Sequence, residues 1–328
     1  MTVVTVPMRD AWADALVGLA AENPDLLVLD ADLASSTRVD RFAAAFPERF
    51  LQMGIAEQNM VGVAAGLASL GYVPWLSSFA VFLTHRALDQ VRLVVAQPGA
   101  NVKFGAAYSG LLTGFTGKTH QDVEDLAIMR AMPRMTVLAP ADAIECASMV
   151  RWATAVDGPV YLRIARDAVP NVVEENYAFE PGRVIRLRDG ADVLIMSTGP
   201  QTARCLAAAD LLAADKVAAG VLHVPSLKPV DRAAIAVAAR EVDLVVSVEE
   251  HSVFGGLGGL VAEILGDLEP RRLVRIGIED VWGESASNAF LLERHGLSAE
   301  RIADRIARER AGEIQTRAAA PERHPIHP

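Results

Sequence analysis

Short aliphatic or β-branched runs alternate with longer stretches of helical periodicity through most of the chain. LLVLD at 26–30 reads as a buried strand because it is short and almost wholly apolar, and residues 8–21 before it read as a helix. The same pattern predicts helices over 57–70, 80–96 and 142–155, and strands over 73–77, 101–107, 135–139 and 160–164. The rhythm breaks over 167–189, which holds Pro170, Pro181 and the polar run Glu174, Glu175, Asn176. A second alternation follows, with strands at 193–196, 218–224, 244–248 and 273–276 and helices at 202–214, 232–239 and 258–265. Such alternation predicts parallel sheets covered on both faces. The expected fold is therefore α/β with two doubly wound domains, residues 1–170 and 191–310, joined by a linker over 171–190. Residues 311–328 carry no core pattern and are expected to form a flexible tail.

Composition narrows the class further. The chain has 328 residues, of which 52% are hydrophobic and 22% charged, enough apolar material for two ordinary globular cores. Its formal charge is −10 with no stripe of Lys and Arg, which argues against a nucleic-acid partner. No apolar run approaches the roughly 18 residues that read as a membrane span, and MTVVTVPMRD lacks the pattern of a secretion signal. Cys146 and Cys205 lie in alanine-rich, helix-like contexts without metal-ligand spacing and read as reduced core thiols. A cytoplasmic location, with no membrane partner, is expected.

The segment with the most chemical content is QMGIAEQNM at 52–60, followed by a small-residue helix. Glu57 stands at that helix start, where a carboxylate is favoured by the helix dipole alone. Buried there, it could instead hydrogen-bond a heterocyclic nitrogen and share its proton. Phe79 and Phe82 are three apart, on one face of the helix expected to begin near Ser78, and spacing alone allows either core packing or a cofactor platform. His120 falls in a Gly-rich loop between a strand and a helix, where functional side chains concentrate.

GIAEQNM…GLASLGYVPWLSSFAVF, together with THQDVEDLAIMR, resembles the pyrimidine-binding domain of the transketolase family, and VEEHSVFGGLGGLVAEIL resembles that family's C-terminal domain. The resemblance implies that Glu57 bonds a ring nitrogen of the aminopyrimidine of thiamine diphosphate, favouring the imino tautomer that activates the thiazolium carbon. It implies that Phe79 and Phe82 sandwich the aminopyrimidine. It places His85 where a third aromatic commonly stands, and Asp32 in the cofactor pocket. His120 becomes a ligand of the substrate and a proton donor or acceptor, and Arg9, Ser36 and Arg166 fall where sugar-phosphate enzymes place phosphate ligands. Two positions depart from the usual pattern: Tyr108 stands for a substrate-binding histidine, and Thr116 for an aspartate that reads a sugar hydroxyl. An acceptor or donor other than the common pentose phosphates is expected.

The family's Mg2+-diphosphate motif, GDG with a later asparagine, does not occur in the sequence. The resemblance therefore implies the C-terminal half of a split transketolase, with thiamine diphosphate shared with a separate diphosphate-binding subunit that holds most of the Mg2+. An α2β2 assembly is expected. The glycines of GGLGG do not have the spacing of a dinucleotide fingerprint. Of His251 two readings stand, a substrate contact or a surface residue. Two alternatives to a transketolase remain: a decarboxylating enzyme resembling 1-deoxyxylulose-5-phosphate synthase or a 2-oxoacid dehydrogenase β-subunit, and a cofactor-free regulatory or scaffolding relative.

Overall fold

A computed structural model describes residues 5–312; most of the expected tail thus lies outside the described residues. The first part of the chain contributes strands β1 (Thr5–Pro7), β2 (Leu26–Asp30), β3 (Phe50–Gln52), β4 (Val73–Phe79), β5 (Lys103–Ala107), β6 (Thr136–Leu138), β7 (Val160–Ile164) and β8 (Ala168–Pro170). The second contributes β9 (Ile185–Arg188), β10 (Val193–Ser197), β11 (Ala219–His223), β12 (Ser226–Lys228), β13 (Leu244–Ser252) and β14 (Arg272–Ile278). A seven-stranded sheet runs in the order β12-β6-β7-β5-β4-β2-β3 and a five-stranded sheet in the order β14-β13-β10-β11-β9. Each is parallel except for one antiparallel edge strand, β12 and β9 respectively. A short β1–β8 ladder stands apart.

Both faces of the larger sheet are covered, which is why its strands read as continuous apolar runs rather than as alternations. On one face Met8, Trp12 and Leu16 of the helix Met8–Glu22 meet Met149 and Val150 of the helix Ala143–Ala155. Gly105 is required there, because a Cβ on it would lie 2.2 Å from the Trp12 ring. On the other face a single apolar cluster runs from Met60 and Leu76 through Phe104 and Met129 to Met196, Leu222 and Leu257, so the two sheets share a core.

Four features differ from the expectations. The helix expected over 80–96 is preceded by a longer strand: β4 continues to Phe79, and the following segment coils as wide π-turns at Phe82–Arg86 and Val91–Ala96. Phe79 is therefore the last residue of a strand and not part of a helix face. The stretch expected to be a linker contributes β9 to the second sheet. Strand β12, encoded beyond that stretch, crosses back to pair with β6. Finally, helices Asn288–Arg294 and Ala299–Arg310 follow the last predicted strand, each capped by a serine side chain, Ser287 and Ser298.

Candidate active site

The parallel strands β2, β4 and β5 end at one edge of the larger sheet, and the segments that leave them carry most of the predicted residues, as expected at the carboxyl ends of strands in open α/β sheets. Glu57 begins the helix Glu57–Ser69, and its side chain is only 4% exposed. The guanidinium of Arg86 donates to Glu57 Oε1 at 3.0 Å. The same guanidinium lies over the Phe82 ring, 3.8 Å from its centroid.

Phe82 continues into an aromatic shelf. Its ring is 5.7 Å from Phe79 at an interplanar angle of 23°, and Phe79 stacks on Tyr108 at 4.0 Å and 16°. His120 meets both phenylalanines edge-on, at 5.9 and 5.4 Å, and its Nδ1 pairs with Thr119 Oγ1 at 2.9 Å. Tyr108 holds a positive φ of 58° at the end of β5, which turns its ring onto Phe79. Arg9 donates to the Tyr108 hydroxyl and to the Ser36 carbonyl, both at 2.9 Å, and Arg166 lies 5.4 Å from the centroid of the same ring. Glu57, Phe82, Phe79, His120, Tyr108, Arg9, Arg166 and Ser36 thus form one connected belt, although residues 9 and 166 are far apart in sequence.

Three predicted residues lie off the belt. His85 does not stack; its Nε2 faces the carboxylates of Glu124 at 3.4 Å and Asp122 at 3.9 Å. The wide turn at Phe82–Arg86 sets Arg86 rather than His85 over the Phe82 ring. Asp32 is exposed on a turn of φ 63°, where its N–H donates to Gln52 Oε1 at 3.0 Å. The buried carboxylate of that loop is Asp30, pushed up by burial and held by Ser77 and the Leu33 N–H. Thr116 is exposed at the tip of the loop, its hydroxyl against that of Thr113. Phe115 beside it is 76% exposed.

The loop that carries Thr116 and His120 is braced from the second sheet. Buried Glu250 accepts the N–H groups of Leu111 and Leu112 at 2.7 and 3.1 Å. Burial pushes its carboxyl up, opposed by Arg204 and Arg163. Gly110 lies against it with a φ of 75°; a Cβ there would stand 2.3 Å from Glu250 Oε1. Arg163 donates to the Glu250 carbonyl at 2.8 Å and pairs with Asp125 at 2.9 Å. Gln121 donates to Glu284 O at 3.0 Å, and Asn288 to Leu112 O at 3.1 Å. His251 is fully buried and accepts the Ala127 N–H at 3.3 Å, so it is neither a surface residue nor part of the belt. In GGLGG the helix start is occupied by the chain's own Glu249, which accepts the N–H groups of Leu257 and Gly258 at 2.6 and 2.8 Å. Sequence reasoning named neither Arg86 nor Glu250. Arg86 owes its place to the π-turn, which helical spacing does not announce, and Glu250 pairs with a loop 138 residues away.

Two doubly wound α/β units with a buried carboxylate and an aromatic shelf at the strand ends have the architecture of the pyrimidine-binding and C-terminal domains of transketolases. The description "Transketolase, pyrimidine binding domain" matches residues 4–172 and "Transketolase, C-terminal domain" residues 182–302. The chain belongs to the transketolase family, whose pyrimidine-binding and C-terminal domains it carries. It is 41% identical to a putative transketolase C-terminal section of Methanocaldococcus jannaschii, over 92% of this chain and 96% of that protein. It is 40% identical to a 6-deoxy-6-sulfo-D-fructose transketolase subunit of Clostridium sp. strain MSTE9, over 90% and 92%. A 1-deoxy-D-xylulose-5-phosphate synthase of Thermomicrobium roseum is 38% identical over 90% of this chain, which spans 48% of that enzyme. Among solved structures, a split gene transketolase described as an inactive β4 tetramer superposes with a TM-score of 0.85 at 44% identity, covering 93% of this chain and 98% of that one.

Proposed function

We propose that the chain is the pyrimidine-binding subunit of a two-polypeptide transketolase, which moves a two-carbon ketol unit from a ketose or ketose phosphate to an aldehyde. The observation that carries this reading is the buried Glu57 carboxylate beside the Phe79–Phe82–His120 shelf. That set fits an aminopyrimidine: a flat ring needs an apolar face, and a buried carboxylate needs a hydrogen-bonding partner. Glu57 would bind a ring nitrogen and hold the exchanged proton at its carboxylate. Phe79 and Phe82 would orient the ring and exclude water. When bound, thiamine diphosphate supplies the carbon nucleophile and electron sink that breaking a bond next to a ketose carbonyl requires.

His120 stands at the rim of the shelf, where it would bind a substrate hydroxyl and pass a proton. Arg9 and Arg166, gathered around Tyr108, would anchor an anionic substrate end through their planar guanidinium groups. Tyr108 and Thr116, in place of the histidine and aspartate of the usual family pattern, support a substrate pair other than the common pentose phosphates. Asp32 and His85, off the belt, are assigned no direct contact with the ring.

A separate N-terminal-half subunit would hold the diphosphate and the Mg2+, in an α2β2 assembly. The β4 assembly of the similar split gene transketolase is described as inactive, which favours dependence on a second polypeptide. The test is calorimetric titration of thiamine diphosphate with Mg2+ into the chain alone and into its mixture with a diphosphate-binding subunit. Binding confined to the mixture is expected; tight binding to the chain alone would refute the division of labour. The synthase relative favours a second reading, a decarboxylating reaction. Pyruvate consumption with CO2 release, and none of ketoses, would select it.

A further inference from the structure

The Arg86 guanidinium makes two contacts at once: it stacks on Phe82 at 3.8 Å and donates to Glu57 Oε1 at 3.0 Å. A guanidinium is planar, delocalised and rich in N–H donors. An aminopyrimidine is likewise flat and delocalised, and when protonated at the ring nitrogen that faces Glu57 it presents an N–H to the same carboxylate. The geometry points to Arg86 as a placeholder for the aminopyrimidine, one that must swing out before the ring can seat between Phe82 and Glu57. The inference rests on the proposed reading of this face as the pyrimidine site.

The physical case has three parts. One face of a phenyl ring accommodates one planar group at van der Waals distance, and the guanidinium already lies over Phe82 at that distance. The Glu57 side chain is 4% exposed, and a carboxylate so buried is costly without a partner. Arg86 supplies that partner within the chain itself. The Arg86 side chain, in contrast, is 48% exposed, so about half of it already faces solvent and hydration compensates its departure. The wide π-turn at Phe82–Arg86 is what brings the guanidinium over the ring. Arg86 thereby keeps Glu57 satisfied in the free chain and tunes cofactor affinity downward, because seating the ring requires breaking both contacts.

The test uses the chain mixed with a diphosphate-binding subunit and 4-amino-2-methylpyrimidine as the probe, followed by line broadening and chemical-shift changes of the probe's NMR signals. The chain is compared with Arg86→Ala, Arg86→Lys and the double variant Arg86→Ala/Phe82→Ala, with circular dichroism establishing that each is folded. Removing a half-exposed ion pair and a cation–π contact should tighten probe binding roughly tenfold in Arg86→Ala, equivalent to about 1.4 kcal/mol. Arg86→Lys should fall between, since it keeps the charge and loses the planar stack. The double variant should lose the gain. Equal or weaker binding by Arg86→Ala, with dependence on Phe82 retained, would overturn the placeholder while leaving the pyrimidine site standing. Binding indifferent to both Arg86 and Phe82, or no binding by any variant, would overturn the placeholder and the pyrimidine site together.

Discussion

Asp122 offers the sharpest physical test of this structure. It is fully buried beneath His85, and burial together with nearby Asp125 pushes its carboxyl up to about 7. Hydrogen bonding agrees: Thr84 Oγ1 lies within reach of both Ala80 O and Asp122 Oδ2, yet a hydroxyl has one proton. A protonated Asp122 donating to Thr84, which then donates to Ala80, satisfies every group. The folded carboxyl holds its proton to about pH 7, whereas the unfolded one releases it near 3.8. Between those values the native state binds more protons, so stability falls as pH rises and levels off above 7. At 1.36 kcal/mol per unit, the loss between pH 5 and pH 7 is about 2 kcal/mol. Asp122→Asn is nearly isosteric, keeps a neutral donor toward Thr84 and removes the titration. Urea unfolding of both proteins at pH 5 and pH 7 should show the variant gaining about 2 kcal/mol relative to wild type across that interval, with unchanged m-values. Asp30 and Glu250, also pushed up, and Lys103, lowered to about 7 by burial, are common to both proteins and cancel in the comparison. Parallel pH dependences in the two proteins would refute a protonated Asp122.

Glu57→Ala in the reconstituted two-subunit enzyme should lower kcat by about 10²–10⁴-fold, the range for a deleted acid–base group; full activity would instead support a regulatory or scaffolding relative. Glu250→Ala orphans two buried N–H groups and should cost about 3–5 kcal/mol, and hydrogen exchange at Leu111 and Leu112 should accelerate well beyond that of β5. Gly105→Ala drives a methyl into the Trp12 ring and should destabilise the chain by at least about 1–3 kcal/mol, measured as a lowered Tm with a red-shifted tryptophan emission.

Periodicity along the chain carried the α/β class, most strands of both sheets and the helix that Glu57 begins, because burial on two faces writes itself into sequence as apolar runs. It did not carry the end of β4. WLSSF and the residues after it suit either a strand or a helix, and pairing of Phe79 with Ala107 decides between them. Nor did it carry β12, whose edge pairing with β6 joins residues about 90 apart. The site divided in the same way. Glu57, Phe82 and His120 stand out in the sequence as candidates because their motifs are local. Tertiary structure alone decided that Arg9, Arg166 and Ser36 meet around Tyr108, that His85 turns toward Glu124, and that Arg86 reaches Glu57. The reason is physical: a local motif records which groups a helix start or loop presents, whereas a contact across the sheet edge depends on register, on turn width and on which side chain is left without a partner once the core has closed.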